Sequence, residues 1–503
     1  MNQALQLAPI VNWIREVCPN GQLFSDSREI KPESGGVFFA YEGDSADGRN
    51  YIAKAIENGA KAVVYESAGF EWNPEWAVAH LGVEGLKANA GPIADAFYGS
   101  PGRSMSIIAV TGTNGKTSTT QWIAQALSRL GRKTAVVGTL GVSIFKDGVS
   151  GTSEETGYTT PDQVQLQRIL AELHSKEVKY VAIEASSIGI DQGRLNGLTV
   201  DIALFTNFTR DHLDYHHDMA SYKAAKRRLF DWPGLKHVVI NLDDVMGQEL
   251  AGELKPKMAV TGYSINDADA DIPVLKALDI RNRPQGDEFR IESPYGRAKI
   301  KTQLIGRFNV SNVLGVLGVL LATGIQWDAA VQSLAHLEAP PGRMQQMGGK
   351  DAPLVVIDFA HTPDALEKGL STLRHVASDR NGKLWCVFGC GGDRDHGKRP
   401  EMGQKAESAD VIIVTSDNPR SEDPKKIIEE IVSGMSGVPI QVEDRATAIL
   451  TAVKQASRND VIFVAGKGHE AYQEVKGVKR PFADTDHVAL ALASRLTTQK
   501  VEP

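Results

Sequence analysis

Cysteine is scarce in this chain, with only Cys18, Cys386 and Cys390 among 503 residues. Three thiols cannot build a disulfide framework, and such sparing use suits a reducing compartment. Cys386 and Cys390 could join His361 or His396 on zinc, but no second close ligand pair follows. They read instead as a buried strand cysteine and a loop cysteine. Long apolar runs are also missing. The longest, "VLGVLGVLLATGI" (313–325), is too short to span a bilayer and reads as a core helix. The opening "MNQALQLAPIVNWIREV" carries neither a positive leader nor an apolar segment with a small-residue cleavage site. The expectation is a cytoplasmic protein with no membrane span. An excess of positive charge is absent too, since the formal net charge is −7. Nothing global favours nucleic acid or an anionic membrane, so any anion must be caught by a local basic cluster.

Several catalytic signatures are missing as well. There is no N-K-x-D, which argues against a guanine-specific switch, and no G-x-S-x-G or H-E-x-x-H. "GCGGDR" (389–394) departs from G-x-G-x-x-G at its last position, where Arg394 stands. No low-complexity tract or short-period repeat occurs.

What the chain does contain is an ordinary globular balance, 42% apolar and 23% charged, over a length that suggests about three domains. The first unit runs to about residue 102. It has strands at "GGVFFAYEG" (35–43) and "KAVVYES" (61–67), a short helix at "NYIAKAIENGA" (50–60), and a Gly/Pro linker at "YGSPGRSM" (98–105). A second unit, 103–338, alternates apolar strands ("SIIAVTG", "KTAVVGT", "KYVAIEASS", "DIALFTN", "HVVINLD") with amphipathic helices such as "STTQWIAQALSRLG" and "DQVQLQRILAELHS". A third unit, 339–503, repeats the pattern with "PLVVIDF", "KLWCVFG", "DVIIVTS" and "DVIFVAG". The expected fold is α/β: a small N-terminal domain, a central nucleotide-binding domain with a mainly parallel sheet, and a Rossmann-like C-terminal domain. Ligands of such sheets bind beyond the carboxyl ends of the strands, which draws attention to "GCGGDRD", "SDNPRSEDP" and "GKGHE".

"VTGTNGKTST" (110–119) lies between a strand and a helix. A standard phosphate loop reads G-x-x-x-x-G-K-[ST]; here Gly115, Lys116 and Thr117 match its end, but Val110 stands at the first glycine and Gly112 lies inside. Backbone N–H groups at a helix N-terminus face phosphate, and the helix dipole favours an anion. Lys116 can reach terminal phosphates and Thr117 can ligate magnesium. Glu184 ends a strand, and His212 follows another in "TNFTRDHLDYHHD" (206–218), so both could meet the phosphates. Taken singly, His212 reads as a solvated loop histidine. His216 and His217 read as surface residues, and Lys226 as one basic face of a helix. Arg343, Arg394 and Arg420 each read alone as solvated. Three at strand-end loops suggest a ligand with several carboxylates or phosphates.

Together with "TTPD" (159–162), "EASS" (184–187), "GRFNVSN" (306–312), "PGRMQ" (341–345), "AHTPDAL" (360–366), "FGCGGDRD" (388–395), "DNPR" (417–420) and "GKGHE" (466–470), these stretches occur in the order seen in the ATP-dependent Mur ligases. "DSR" (26–28) and "ADGRNYI" (46–52) extend the match into the first domain. The chain resembles the branch that adds the third amino acid of the peptidoglycan stem peptide. In that family the loop resembles G-T-N-G-K-T/S, so Val110 is no defect.

The resemblance implies a reaction. A carboxylate of a UDP-muramoyl dipeptide attacks the γ-phosphate of ATP, and the resulting acyl phosphate is captured by an amine. No nucleophile belongs to the protein, which positions anions and offsets their charge with Mg²⁺. It also implies residues. The nucleotide side comprises Gly112, Thr113, Asn114, Gly115, Lys116, Thr117, Ser118, Asn309, Asn312, Arg343 and Asp358. Thr117, Glu184, His212 and Lys226, the last as a carbamate (N6-carboxylysine), form the metal side, and Lys116 with Glu184, His212 and Lys226 the catalytic side. Ser27, Ser45 and Ala46 match the uridine end; Thr159, Thr160, Ser186, Gln192 and Arg194 match the muramoyl peptide. Arg394, Asp417, Asn418, Pro419, Arg420, Gly466 and Glu470 form the amino-acid pocket. The arginine of "DNPR" points to meso-diaminopimelate, with Glu470 suited to its distal ammonium. A lysine-adding relative or a folylpolyglutamate-type ligase is the alternative, and a monomer is expected. Two departures from the family stand out: Ile188 where E-x-S-S-H-G has histidine, and Phe359 where tyrosine is usual.

Overall fold

The computed structural model describes residues 7–43, 46–283 and 286–499. The fold is α/β in three domains, each built on its own sheet. The first sheet has four parallel strands, Leu23–Phe24, Val37–Ala40, Ala62–Glu66 and Ala79–Val83. The helices Leu7–Val17 and Leu86–Phe97 pack on one face of it.

The central sheet has eleven strands. Seven of them run parallel through its middle, and Ser106–Thr111 lies between Ile202–Phe205 and Tyr180–Glu184. Parallel strands are covered on both faces, which is why these segments read as continuous apolar runs. Ile107 and Ala109 enter one core while Ile108 and Val110 enter the other. The chain leaves Ser106–Thr111 for the helix Lys116–Arg129, then skips one strand to reach Thr134–Gly138. A crevice opens where the strand order reverses, and the phosphate loop sits in its mouth.

The third sheet has six strands, in the order Gln345–Gly348, Leu354–Asp358, Val461–Ala465, Leu384–Phe388, Val411–Val414 and Ile440–Gln441. Cys386 is a strand residue and Cys390 follows it in a loop, both buried. Arg445 and Asp484, each with a fully buried side chain, form a bidentate pair (2.8 and 2.7 Å) that ties the last helix to the strand ends.

Two regions depart from the sequence reading. Both edges of the central sheet are antiparallel: beyond Val274–Arg283, which is parallel to its inner neighbour, come Gly286–Ser293 and Gly296–Lys301 at one side, and Gly141–Lys146 and Val149–Ser150 lie at the other. These strands have one solvated face, so they alternate polar and apolar residues and give no continuous run. The helix after the phosphate loop begins at Lys116, two residues before the segment expected from the apolar spacing. Its first turn is polar because it faces the crevice. Arg307–Ala322 is the buried core helix that the apolar run foretold, and it carries Asn309 and Asn312 up to the loop.

Candidate active site

The phosphate loop is held by contacts that only glycine permits. A Cβ at Gly112 would lie 1.9 Å from the Thr206 hydroxyl, and one at Gly115, where φ is +87°, would lie 2.8 Å from Asn312 Oδ1. Gly115 in the left-handed region turns the chain into the helix, leaving its first N–H groups facing the cavity. Thr113 is fixed from outside the loop. Its hydroxyl donates to the Thr209 carbonyl (3.1 Å) and lies 3.1 Å from the Tyr222 hydroxyl.

Two lysines meet at one carbonyl. Lys116 Nζ donates to Gly112 O (2.8 Å) and Thr113 O (2.9 Å), and Lys226 Nζ donates to the same Gly112 O at 2.8 Å. Burial pushes the pKa of Lys116 down. Burial, with Lys116 beside it, pushes that of Lys226 well below the usual lysine range. Lys226 is therefore not a solvated helix lysine, as its sequence context suggested. The helix Met219–Arg227 turns it under the loop, where it is 1% exposed.

Glu184, also buried, accepts from the Thr117 hydroxyl (3.0 Å), the Thr139 backbone N–H (2.8 Å) and the Thr139 hydroxyl (3.1 Å). Arg343 reaches across from the C-terminal domain, its Nη2 donating to Thr117 Oγ1 at 3.1 Å. It lies over the Phe359 ring (4.5 Å to the centroid), so the Phe359 departure from the family still leaves an aromatic platform for the guanidinium. Arg343 is thus not a solvated arginine, and its buried Nε has no hydrogen-bond partner among the described residues. Burial lifts the Asp358 carboxyl to about 6 against the pull of Arg343.

His212, half-buried, lies beside Asp211 (3.3 Å), and His361 of the C-terminal domain approaches the same carboxylate at 3.9 Å. Burial lowers the His212 pKa to about 4 although Asp211 opposes it. For Asp211 burial works upward, but His212, His361 and Lys398 outweigh it and hold the carboxyl at about 2. At neutral pH a neutral imidazole thus faces an ionised carboxylate. His216 corrects the sequence reading. It is buried, with Nε2 3.0 Å from the Ser187 hydroxyl and its ring packed against Tyr215 and Tyr222.

One cavity of about 1200 Å³ gathers most of the sequence-predicted residues. From the loop come Thr113 to Ser118, with Asn309, Asn312, Arg343 and Asp358 around them. Glu184 and His212 line its middle, Thr159, Ser186 and Arg194 the side toward the first domain, and Ile188 lies among them. Arg394, Asp417, Asn418, Arg420, Gly466 and Glu470 line the far end. Gly112 and Lys226 lie beneath this wall, joined by their hydrogen bond.

Thr160, Gln192 and Pro419 sit behind the wall. The Thr160 hydroxyl donates to Glu184 O (2.7 Å), and Gln192 Oε1 accepts from Arg194 Nε and Nη2 at 2.9 and 2.6 Å. Pro419 O would be 2.0 Å from a Cβ at Gly392. Ser27 is buried in the first domain, its carbonyl accepting from Asn58 (2.8 Å), while Ala46 is exposed and its carbonyl accepts from Gly43 N (2.9 Å). Neither lines the cavity. Ser45 lies outside the described residues.

The far end is tightly built. Arg420, in the left-handed region (φ +50°), donates from Nη1 to Gly392 O at 2.7 Å, with its side chain about one quarter exposed. Arg394 is more open and lies 3.9 Å from Asp214. Residues that sequence reasoning did not single out are Thr139, Asp211, Tyr222 and Asp364. Asp364 accepts from Asn114 of the loop (3.1 Å) across the domain boundary. Only the four-residue spacing of Tyr222 and Lys226 on one helix face offered a local signal.

A phosphate loop, acidic and cationic groups around it and an arginine-lined distal pocket, all in one three-domain cavity, define an ATP-dependent ligase. The models described as Mur ligase family catalytic domain, Mur ligase middle domain and Mur ligase glutamate ligase domain match residues 23–98, 110–320 and 342–468. The chain belongs to the Mur ligase family. It is 59% identical over 497 residues to the UDP-N-acetylmuramoyl-L-alanyl-D-glutamate–2,6-diaminopimelate ligase of Janthinobacterium sp. (strain Marseille), covering 97% of each chain. It is 50% identical over 505 residues to the ligase of the same name from Ralstonia nicotianae, covering 98% of this chain and 97% of that one. A solved structure of a ligase of that name matches with a TM-score of 0.64 at 35% identity, over 94% of this chain and 95% of the other. MurF from Thermotoga maritima in complex with ADP shares the fold (TM-score 0.67, 17% identity, 95% and 99% covered).

Proposed function

We propose that this chain joins meso-diaminopimelate to UDP-N-acetylmuramoyl-L-alanyl-D-glutamate, cleaving ATP to ADP and phosphate, in cytoplasmic synthesis of peptidoglycan precursors. The observation that carries the reading is that the phosphate loop and the "DNPR" loop line one cavity. An activated carboxylate formed at one end can therefore be captured by an amine held at the other, out of competition with water.

Lys116, freed from its two carbonyls, follows the β- and γ-phosphates, and the N–H groups of the first helical turn cradle them. Asn309, Asn312, Arg343 and Asp358 bracket the nucleotide. Magnesium fits the donors present: Thr117 Oγ1 and the Glu184 carboxylate are oxygens beside the loop, and Mg²⁺ takes few protein oxygens plus phosphates and water. When bound it would neutralise charge on the transferring phosphoryl group. Thr117 and Glu184 would be the principal protein ligands, with His212 beside them. Burial beside Lys116 favours the neutral amine of Lys226, the form that carbamylation requires, and a carbamate would add a further carboxylate-like ligand.

Thr159, Thr160, Ser186, Gln192 and Arg194 hold the muramoyl peptide, and Ser27, Ser45 and Ala46 hold the uridine end. Arg394, Asp417, Asn418, Pro419, Arg420, Gly466 and Glu470 hold diaminopimelate. We take the domains as 1–102, 103–338 and 339–503, and the enzyme as a monomer.

An amino-acid panel tests this. With ATP, magnesium and the UDP-muramoyl dipeptide, ADP release is expected to require meso-diaminopimelate and to stay near background with L-lysine or L-glutamate. Release driven equally by lysine would overturn the assigned substrate.

A further inference from the structure

Lys467 does not line the cavity, yet its side chain is fully buried beside it. Its Nζ donates to Glu470 Oε2 (2.9 Å) and to Asn418 Oδ1 (3.1 Å), and lies 5.6 Å from the centre of the Tyr472 ring. Asn418 closes the triangle, its Nδ2 donating to the same Glu470 Oε2 at 2.8 Å. Asn418 Oδ1 also accepts from the Glu474 backbone N–H (2.9 Å). The two strand-end loops, 417–420 and 466–470, are thus cross-linked through one ammonium.

This triangle treats the two oxygens of Glu470 differently. Oε2 accepts two donors, while Oε1 has no hydrogen-bond partner among the described residues and belongs to a side chain that lines the cavity. A free glutamate at a cavity wall could sample several rotamers, and its desolvated charge would be costly. Pairing with Lys467 offsets that charge and holds the carboxylate in one orientation. The amide orientation of Asn418 is set as well, because its oxygen faces an ammonium and its nitrogen a carboxylate.

We infer that Lys467 is a positioning residue for amino-acid selection: with Asn418 it holds Glu470 so that Oε1 is presented to the distal amine of the incoming diamino acid, without itself touching that substrate. The inference rests on the proposed function, because it assigns the far end of the cavity to the amino acid. It goes further in making the glutamate's acceptor geometry depend on a buried cation. Preorganisation of this kind governs affinity and selectivity, since an ordered acceptor loses less on binding.

The test is steady-state kinetics of Lys467→Met and Lys467→Gln, alone and combined with Glu470→Gln. Lys467→Met is expected to raise KM for meso-diaminopimelate by about tenfold or more, a loss of ~1.4 kcal/mol. KM for ATP and for the UDP-substrate should stay within about twofold, and kcat within about threefold. Lys467→Gln, which keeps a donor, is expected to fall between. The double variant should be little worse than Glu470→Gln alone, because both changes remove the same arrangement.

Equal rises in all three KM values, or losses that simply add in the double variant, would overturn the inference. Should Lys467→Met not fold, Lys467→Gln decides in the same way, and wild-type diaminopimelate kinetics in that variant would refute the role. Failure of the parent enzyme to use diaminopimelate would instead strike the proposed function.

Discussion

Replacing Lys116 with alanine is expected to lower kcat/KM by about 10³-fold, because a cation aimed at the transferring phosphoryl group acts where charge is redistributed in the transition state. Lys116 Nζ is bonded to loop carbonyls, Gly112 O and Thr113 O, and burial disfavours its charge against the pull of Glu184 and Asp211. The ammonium is thus held by neutral carbonyls, and no direct ion pair ties it among the described residues, so it can turn to a triphosphate. The same geometry predicts a small effect on stability: the alanine variant loses a desolvated cation with a lowered pKa, so its melting temperature should be unchanged or slightly higher. Single-turnover phosphate release and a thermal melt on one preparation check both halves. Near-normal release would remove Lys116 from phosphate transfer, and a collapsed melting transition would recast it as structural.

The second large effect belongs to Arg420. Its Nη1 is anchored on Gly392 O and its Nε lies 3.8 Å from Glu474, which leaves further N–H groups available. Gly391 leaves room around it. A Cβ at Gly391 would come within 2.9 Å of Nη1. Diaminopimelate has a distal carboxylate that lysine lacks, and a planar fork can grip it with two parallel charge-assisted bonds. Arg420→Ala is expected to raise KM for diaminopimelate by about 10²-fold or more, and to erase most of the discrimination against lysine, with ATP affinity hardly changed. Arg420→Lys keeps the charge but loses the fork, so it should fall between. Diaminopimelate kinetics with lysine as competitor read this directly. Unchanged selectivity in the alanine variant would show that another group reads the far carboxylate.

The parallel strands were legible in the sequence because burial on both faces leaves continuous apolar runs such as "SIIAVTG" and "DVIFVAG". The phosphate loop was legible because its glycines, lysine and threonine are adjacent in the chain. What stayed hidden depends on distant partners. Lys226 looks like a surface residue until its helix is laid under Gly112, and His216 until Ser187 arrives beside it. The contact of Asn114 with Asp364 spans 250 residues, and that of Lys467 with Asn418 spans 49. No local spacing encodes either. The antiparallel edge at 274–301 was missed for a different reason: strands with one solvated face resemble amphipathic loops in a single sequence.

In the proposed reaction a carboxylate of the UDP-substrate becomes an acyl phosphate before the amine attacks. Labelling that carboxylate with a heavy oxygen isotope tests it most directly. One labelled oxygen should pass into the released phosphate and the other remain in the new amide of the diaminopimelate product, both read by mass spectrometry. Unlabelled phosphate, formed together with amide product, would contradict the mechanism and with it the role assigned to the cavity.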